Sequence, residues 1–193
     1  MEPSIQPEDL LALYRIGVFP MADDDGGISL YSPDPRGILD LDAFRVPRSL
    51  RRVIKADVFQ VRIDTAFEEV ITACGDRLDT WLSKELIACY IALHRYGAAH
   101  SFEAWYGDEL AGGLYGVAIG AAFFGESMFT RKTDASKVAL VALVSFMKEH
   151  GMTLLDTQFV TPHLERFGAA WIRRTEYLRR LAAALDSPDR FTR

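Results

Sequence analysis

The chain begins with an apolar stripe in PEDLLALYRI (residues 7–16), led by a proline and two acids and closed by Gly17, which predicts a short first helix. From Phe19 to Pro47, frequent Pro, Gly and Asp break the pattern. Extended runs at Ile28–Tyr31 and Gly37–Leu41 within that stretch predict turns around a small sheet. A strand-like run at Phe59–Ile63 is followed by helical spacing over Thr65–Cys74 and over Ser83–Tyr96, the second with Ser83 at its start and Gly97 at its end. Residues 100–129 alternate apolar and small residues around turns at Gly107-Asp108 and Gly120-Ala121, as an antiparallel meander does. Asp134 opens a helix running to His150 whose Val138–Met147 stretch is apolar almost all round, which predicts burial. A strand at Thr153–Phe159, a short helix at Pro162–Phe167, a strand at Ala169–Ile172 and a helix at Thr175–Leu185 complete the pattern. The DSPDRFTR tail is expected to fray.

This order predicts an α+β fold with a mixed sheet. A composition shift near Asp57 divides it into a small N-terminal unit, residues 1–56, and a larger unit, residues 57–193. With 193 residues, 49% of them hydrophobic and 25% charged, the chain can bury a core without metals or disulfides. Cys74 and Cys89 fall in helical segments with no CxxC and no histidine at ligand spacing, so they read as buried free thiols of a reducing compartment. The N-terminus lacks the order of a signal peptide, and the longest uncharged stretch, Leu110–Gly125, is broken by glycines; a cytoplasmic protein off the membrane is expected. No heptad seam is visible, and a monomer is expected.

Charge changes the picture twice. The 22 Lys and Arg against 27 Asp and Glu give a net −5, which argues against indiscriminate coating of nucleic acid. Yet Arg45, Arg48, Arg51, Arg52 and Lys55 gather positive charge in one short stretch, for which a solvated helix face is the plain explanation and a phosphate surface the functional one.

Several familiar motifs are missing. Gly112, Gly113, Gly116 and Gly120 precede no Lys-Ser/Thr pair and sit in a strand pattern, where glycine serves bulges or close backbone approach. The four histidines make no paired-ligand spacing, so no metal is expected. Ser101 and Ser127 lie in no GxSxG elbow. The informative segments are GESMFTR (residues 125–131) and LLDTQF (residues 154–159), which set carboxylates and an amide into apolar strands, where burial is costly unless the groups are paired or used. Strand alternation places Glu126 with Met128 on one face, and Asp156 with Gln158. The plain alternative is that Asp156 pairs with Arg131.

At these two segments the chain closely resembles the leucyl/phenylalanyl-tRNA-protein transferases. The resemblance also takes in YRIGVFPM, YSPDPRG, RSLRR, Thr80-Trp81, AHSFEAW, GGLYGVAIG, FFGESMF, Ala135–Lys137, LLDTQ and Phe167–Ala169, in the family's order over nearly the whole chain. It implies a small N-terminal domain joined to an acetyltransferase-like (GNAT) domain. It also implies an enzyme that moves Leu, Phe or Met from aminoacyl-tRNA to the α-amine of proteins beginning with Arg or Lys, marking them for N-degron proteolysis. Because the aminoacyl ester is already activated, no cofactor, metal or acyl-enzyme is implied.

By the same resemblance, Asp156 and Gln158 match residues assigned to activating the amine, and Glu126 one that holds the terminal adenosine region. Leu114, Phe123, Met128, Leu140, Leu143, Met147 and Leu155 match the apolar side-chain pocket, although ordinary core satisfies the sequence equally. Trp81 and Tyr31 match adenosine-stacking positions, and the cluster Arg45, Arg48, Arg51, Arg52, Lys55 matches the surface facing the tRNA acceptor stem. Leu30 and Tyr31 replace a Trp pair common there, and Thr161 stands where Asn is common. Two rivals remain at this level. An acyl-CoA N-acetyltransferase would need a glycine-rich pyrophosphate loop, which FTRKTDAS lacks. A silent tRNA-binding adaptor would keep the fold without the chemistry.

Overall fold

Strand pairing in the structure, a computed structural model describing residues 5–23, 26–76 and 80–191, follows the predicted alternation closely. The meander is present: β5 (Ala99–Tyr106), β6 (Glu109–Ile119) and β7 (Ala122–Thr130) run antiparallel, turning at Gly107 and Gly120, which both take positive φ. β4 (Gln60–Ile63) pairs antiparallel with β5 at one edge. On the other side β8 (Leu154–Gln158) pairs parallel with β7, so the sheet is mixed, as the α+β expectation required.

The next neighbour of β8 comes from far earlier in the chain. β3 (Arg36–Leu39) lies between β8 and β9 (Ala169–Ile172), antiparallel to both, giving the order β4-β5-β6-β7-β8-β3-β9. A strand from before the division at residue 57 is thus an inner strand of the main sheet. Only β1 (Phe19–Ala22) and β2 (Ile28–Tyr31) form a separate two-stranded sheet, and β1 lies in a stretch whose pattern reads only as turns.

Helices cover both faces. On one, α1 (Pro7–Arg15), α3 (Phe67–Gly75), α4 (Lys84–Arg95) and α7 (Arg174–Leu185) bury Leu10, Tyr14, Val70, Ile71, Leu86, Tyr90, Tyr177 and Leu181. On the other, α2 (Arg48–Lys55) contributes Leu50, and α5 (Ala135–Glu149) buries Val138, Leu140, Leu143 and Met147 against Phe102 and Phe123. Ser83 acts as read, its Oγ accepting from Leu86 N at 3.2 Å at the start of α4. Asp134 precedes α5 but makes no side-chain cap bond, its carboxylate accepting from Lys137 Nζ at 2.6 Å instead, and Thr161 Oγ1, not read as a cap, accepts from Leu164 N at 3.2 Å at the start of the short α6 (Pro162–Glu165). Cys74 and Cys89 are buried thiols in no disulfide, and Cys89 Sγ donates to Ile5 O at 3.0 Å.

The tail departs from expectation. Rather than fraying, Asp189 accepts from Gly120 N at 2.8 Å, Arg190 N donates to Gly120 O at 2.9 Å, and the Phe191 ring stacks 3.5 Å from His100 and 4.5 Å from Phe146. A ring within reach of an aromatic slot, and a carboxylate aimed at a turn amide, outweigh the loss of chain entropy. Residues 192 and 193 of the tail lie outside the described residues. No helix among the described residues is long and apolar enough to cross a membrane.

Candidate active site

The site begins where two strands part. β7 and β8 pair only over Ala122–Phe124 and Leu154–Asp156. Beyond that each departs from regular register. On β7, Gly125 opposes Gly116 and Ser127 opposes Tyr115, which leaves Glu126 as an extra residue; on β8, Asp156 opposes Ile38 and Gln158 opposes Gly37, which leaves Thr157 extra. Bulges bend a strand and re-aim side chains. Between the diverging strands lies a cavity of about 1070 Å³, lined by Glu126, Met128, Thr157 and Gln158 from the strands themselves.

The bulge overturns one expectation. Glu126 does not share a face with Met128: it turns toward α1 and α4, whereas Met128 packs with Leu114 and the α5 residues on the opposite face. A single inserted residue breaks period-two alternation. Gln158, in turn, sits at φ 55° and reaches across the gap, its Nε2 donating to Glu126 Oε1 at 2.9 Å. Gly37 makes this close approach possible, because a Cβ there would stand 2.5 Å from the backbone of Phe159.

Asp156 is fully buried and pairs with Arg36, not with Arg131. Its Oδ1 accepts from Arg36 Nε at 3.0 Å and from Gln158 N at 2.8 Å; its Oδ2 accepts from Arg36 Nη2 at 2.7 Å and from Tyr177 Oη at 2.7 Å. Arg131 instead donates to Leu110 O at 3.2 Å. The Arg36 guanidinium is also 1% exposed, lies between the rings of Phe19 (4.7 Å) and Tyr177 (4.5 Å), and donates Nη1 to Gly17 O at 3.0 Å. Bidentate pairing plus aromatic faces suits a planar guanidinium and not a lysine. Burial, with the charge of Asp156 adding to it, pushes the Tyr177 hydroxyl well above its usual pKa.

Glu126 occupies different surroundings. It is half-buried at the cavity wall, its Oε2 accepting from Tyr90 Oη at 3.1 Å, and Tyr90 Oη lies 2.6 Å from Tyr14 Oη. Burial raises its pKa to about 7, with the Asp156 charge adding to the rise and the tyrosine hydrogen bonds and Arg36 opposing it. Burial likewise lifts both tyrosines well above their usual range.

The side-chain pocket comes together in part. Leu114, Met128, Leu140, Leu143 and Leu155 line the cavity, but Phe123 and Met147 are absent from its wall and sit in the core, Phe123 packed edge-on to Phe102. Core packing claims these two because their strand and helix positions point between α5 and the sheet. Trp81 lines the cavity. Tyr31 does not; it stacks on Phe19, which does, with ring centroids 6.0 Å apart. Arg45, Arg48, Arg51, Arg52 and Lys55 are all exposed, the last four on α2, and none of them lines the cavity. Thr161, Lys137 and His163 add polar groups to the wall, and Thr157 Oγ1 and His163 Nε2 are buried with no protein hydrogen-bond partner. No group of three or more His, Cys, Asp or Glu able to hold a metal occurs among the described residues.

Sequence reasoning missed Arg36, Tyr14, Tyr90 and Tyr177 as site residues. Their signals were faint: Arg36 lies in a turn-rich stretch where an arginine reads as solvated, and each tyrosine sits at a helix position that also fits an apolar core contact.

Comparison with known proteins adds three findings. The sequence family described as Leucyl/phenylalanyl-tRNA protein transferase matches residues 38–182, and the family of its N-terminal domain matches residues 4–34. Among curated relatives, the Leucyl/phenylalanyl-tRNA--protein transferase of Rubrobacter xylanophilus is 56% identical, covering 94% of this chain and 95% of that one. That of Hyphomonas neptunium is 53% identical, covering 96% and 74%. A solved structure described as L-PGS from Bacillus licheniformis overlays with a TM-score of 0.46 at 14% identity, over 94% of this chain and 70% of that one.

Proposed function

The chain belongs to the leucyl/phenylalanyl-tRNA protein transferase family, and is therefore an aminoacyltransferase; from that premise we propose that it moves Leu, Phe or Met from aminoacyl-tRNA to the α-amine of proteins beginning with Arg or Lys. The observation that carries this reading is a single cavity with two chemistries. Its inner wall of Leu114, Met128, Leu140, Leu143 and Leu155 suits an unbranched or γ-branched side chain, and Met128 supplies a wall that adapts to each. Its wall also carries Glu126, Gln158 and Trp81, a carboxylate, an amide and an indole that can take an amine, a ribose and an adenine.

In this reading the α-amine attacks the ester carbonyl, the tetrahedral intermediate collapses, and the ribose oxygen leaves with a proton. Positioning carries most of the rate, since holding two reactants in near-attack geometry is worth roughly 7–11 kcal/mol. Gln158 spends its Nε2 on Glu126, which leaves Oε1 to align the amine, and Asp156 holds Gln158 through its backbone amide. A neutral amide aligns rather than deprotonates. The exposed charges of Arg45 and α2 face the acceptor stem of the tRNA. The wider reading is a cytoplasmic monomer with an acetyltransferase-like domain after a small N-terminal one, whose products enter N-degron proteolysis.

The test is transfer of labelled Leu from Leu-tRNA to a peptide beginning with Arg and to one beginning with Ala. Labelling of the Arg peptide alone is expected. Binding of Leu-tRNA with no transfer to either peptide would favour the adaptor reading instead.

A further inference from the structure

The two carboxylates at the cleft differ in what they have left to give. A carboxylate offers about four lone-pair positions. Asp156 has committed all four, to Arg36 Nε, Arg36 Nη2, Gln158 N and Tyr177 Oη, and it is absent from the cavity wall. A proton arriving there would have to displace a bidentate guanidinium in a site with no solvent. Glu126 stands on the wall with fewer positions committed: Oε1 accepts from Gln158 Nε2 and Oε2 from Tyr90 Oη, and the Tyr14 hydroxyl also bonds the carboxylate. Its partners are all donors that can stay in place while a proton lands on either oxygen.

We propose that Glu126, and not Asp156, takes the proton from the acceptor amine and returns it to the leaving ribose oxygen, with the Tyr90–Tyr14 hydroxyl pair acting as positioning residues that hold its Oε2. The inference rests on the transferase reading above. The step balances simply. The acceptor enters as its free amine, having released one ammonium proton to solvent, and as its nitrogen forms the new C–N bond it gives a second proton to the Glu126 carboxylate. Collapse breaks the C–O ester bond, and the Glu126 carboxyl protonates the ribose oxygen, regenerating the carboxylate. The ester supplies the driving force, so no further reactant enters.

The surroundings suit that cycle. Glu126 is faced by Tyr14 from α1, Tyr90 from α4, Gln158 and Asp156 from β8, Arg36 from β3 and Tyr177 from α7. With its pKa raised by burial to about 7, Glu126 is largely ionised at the pH where an α-amine, pKa about 7.7–8.0, becomes free, and its acid form can still give the proton to the ribose oxygen.

Single-turnover transfer from Leu-tRNA to an Arg-initiated peptide, followed from pH 5.5 to 9, tests it. The wild-type rate is expected to rise through a midpoint near 7. Glu126→Gln should slow the step by roughly 100-fold or more and lose that limb, keeping only the limb of the amine itself, with Leu-tRNA binding and thermal midpoint close to wild type. Tyr90→Phe should keep the limb and move it to higher pH, because its hydrogen bond favours the carboxylate. A purely structural tyrosine would not shift the limb. Retention of the limb in Glu126→Gln, or an unmoved limb in Tyr90→Phe, overturns the assignment, and the second variant decides the matter if the first fails to fold. No transfer by the wild type would instead sink the transferase reading itself.

Discussion

Two glutamates stand on neighbouring parts of one sheet, Glu103 on β5 and Glu126 on β7, and the fold treats them in opposite ways. Glu103 is fully buried and accepts from Thr65 N, Ala66 N and Ser101 Oγ at 2.9, 3.0 and 2.7 Å, and from the Thr65 hydroxyl. It closes the start of α3, where free amide groups and the helix dipole favour a negative charge. Beside it, Asp64 is fixed by Ser101 N at 2.7 Å and His100 Nδ1 at 2.7 Å. Apart from the Ser101 hydroxyl bond within β5, these bonds tie β5 to the segment that leads into α3. Glu126 is held by side-chain donors, Gln158 Nε2 and the Tyr90 and Tyr14 hydroxyls, and its remaining capacity opens onto a cavity. Burial alone does not distinguish a structural carboxylate from a chemical one; the number of uncommitted lone pairs does. By that measure Asp156 belongs with Glu103, although it lies next to the cleft.

This contrast can be broken most sharply at Arg36. Arg36→Met leaves the buried Asp156 without its partner and should cost about 3–5 kcal/mol in urea unfolding, the usual penalty for stranding a buried charge. A loss below about 1 kcal/mol would show that Asp156 is not committed as described. Glu103→Gln is expected to cost less, about 1–3 kcal/mol, since the amide keeps one acceptor while losing charge and forcing a donor against donors. Its transfer rate per folded molecule and its pH limb should match wild type; a moved limb would mean that the two glutamates are coupled. Smallest in stability is the pair Arg51→Gln with Arg52→Gln, both exposed on α2, which should stay within about 0.5 kcal/mol of wild type. That variant touches neither carboxylate, yet the slope of log tRNA affinity against log salt should fall by about 1.4–1.8, two phosphate contacts' worth. An unchanged slope would detach α2 from the tRNA.

The elements themselves were legible because their signals are local. Hairpin turns at Gly107 and Gly120, the Ser83 cap and the all-round apolar stretch of α5 each follow from a few adjacent residues. The site was legible in its parts, Glu126, Gln158 and Trp81, through the resemblance, but not in its wiring. Alternation misplaced Glu126 because a bulge inserts a residue only when the sheet is assembled. Arg36 was invisible as the partner of Asp156 because 120 residues separate them and nothing in YSPDPRG announces burial. The tail was misread for the same reason: Phe191 is ordered by an aromatic slot made of Phe102, Phe123, Phe146 and His100, which no window on the tail contains.

The position of β3 also sets a schedule. On a ribosome adding roughly 5–20 residues per second, Arg36 emerges on the order of 6–24 seconds before Asp156 exists to receive it. Through that interval the nascent chain carries an unpaired strand and a cation whose eventual home is dry. β8 and β9 must then be synthesised before β3 has both neighbours, so the parting of β7 and β8 is braced only after residue 172 has been made. The cleft is thus completed by strands made more than a hundred residues after the arginine at its back, and a growing chain that has not reached them carries Arg36 without Asp156.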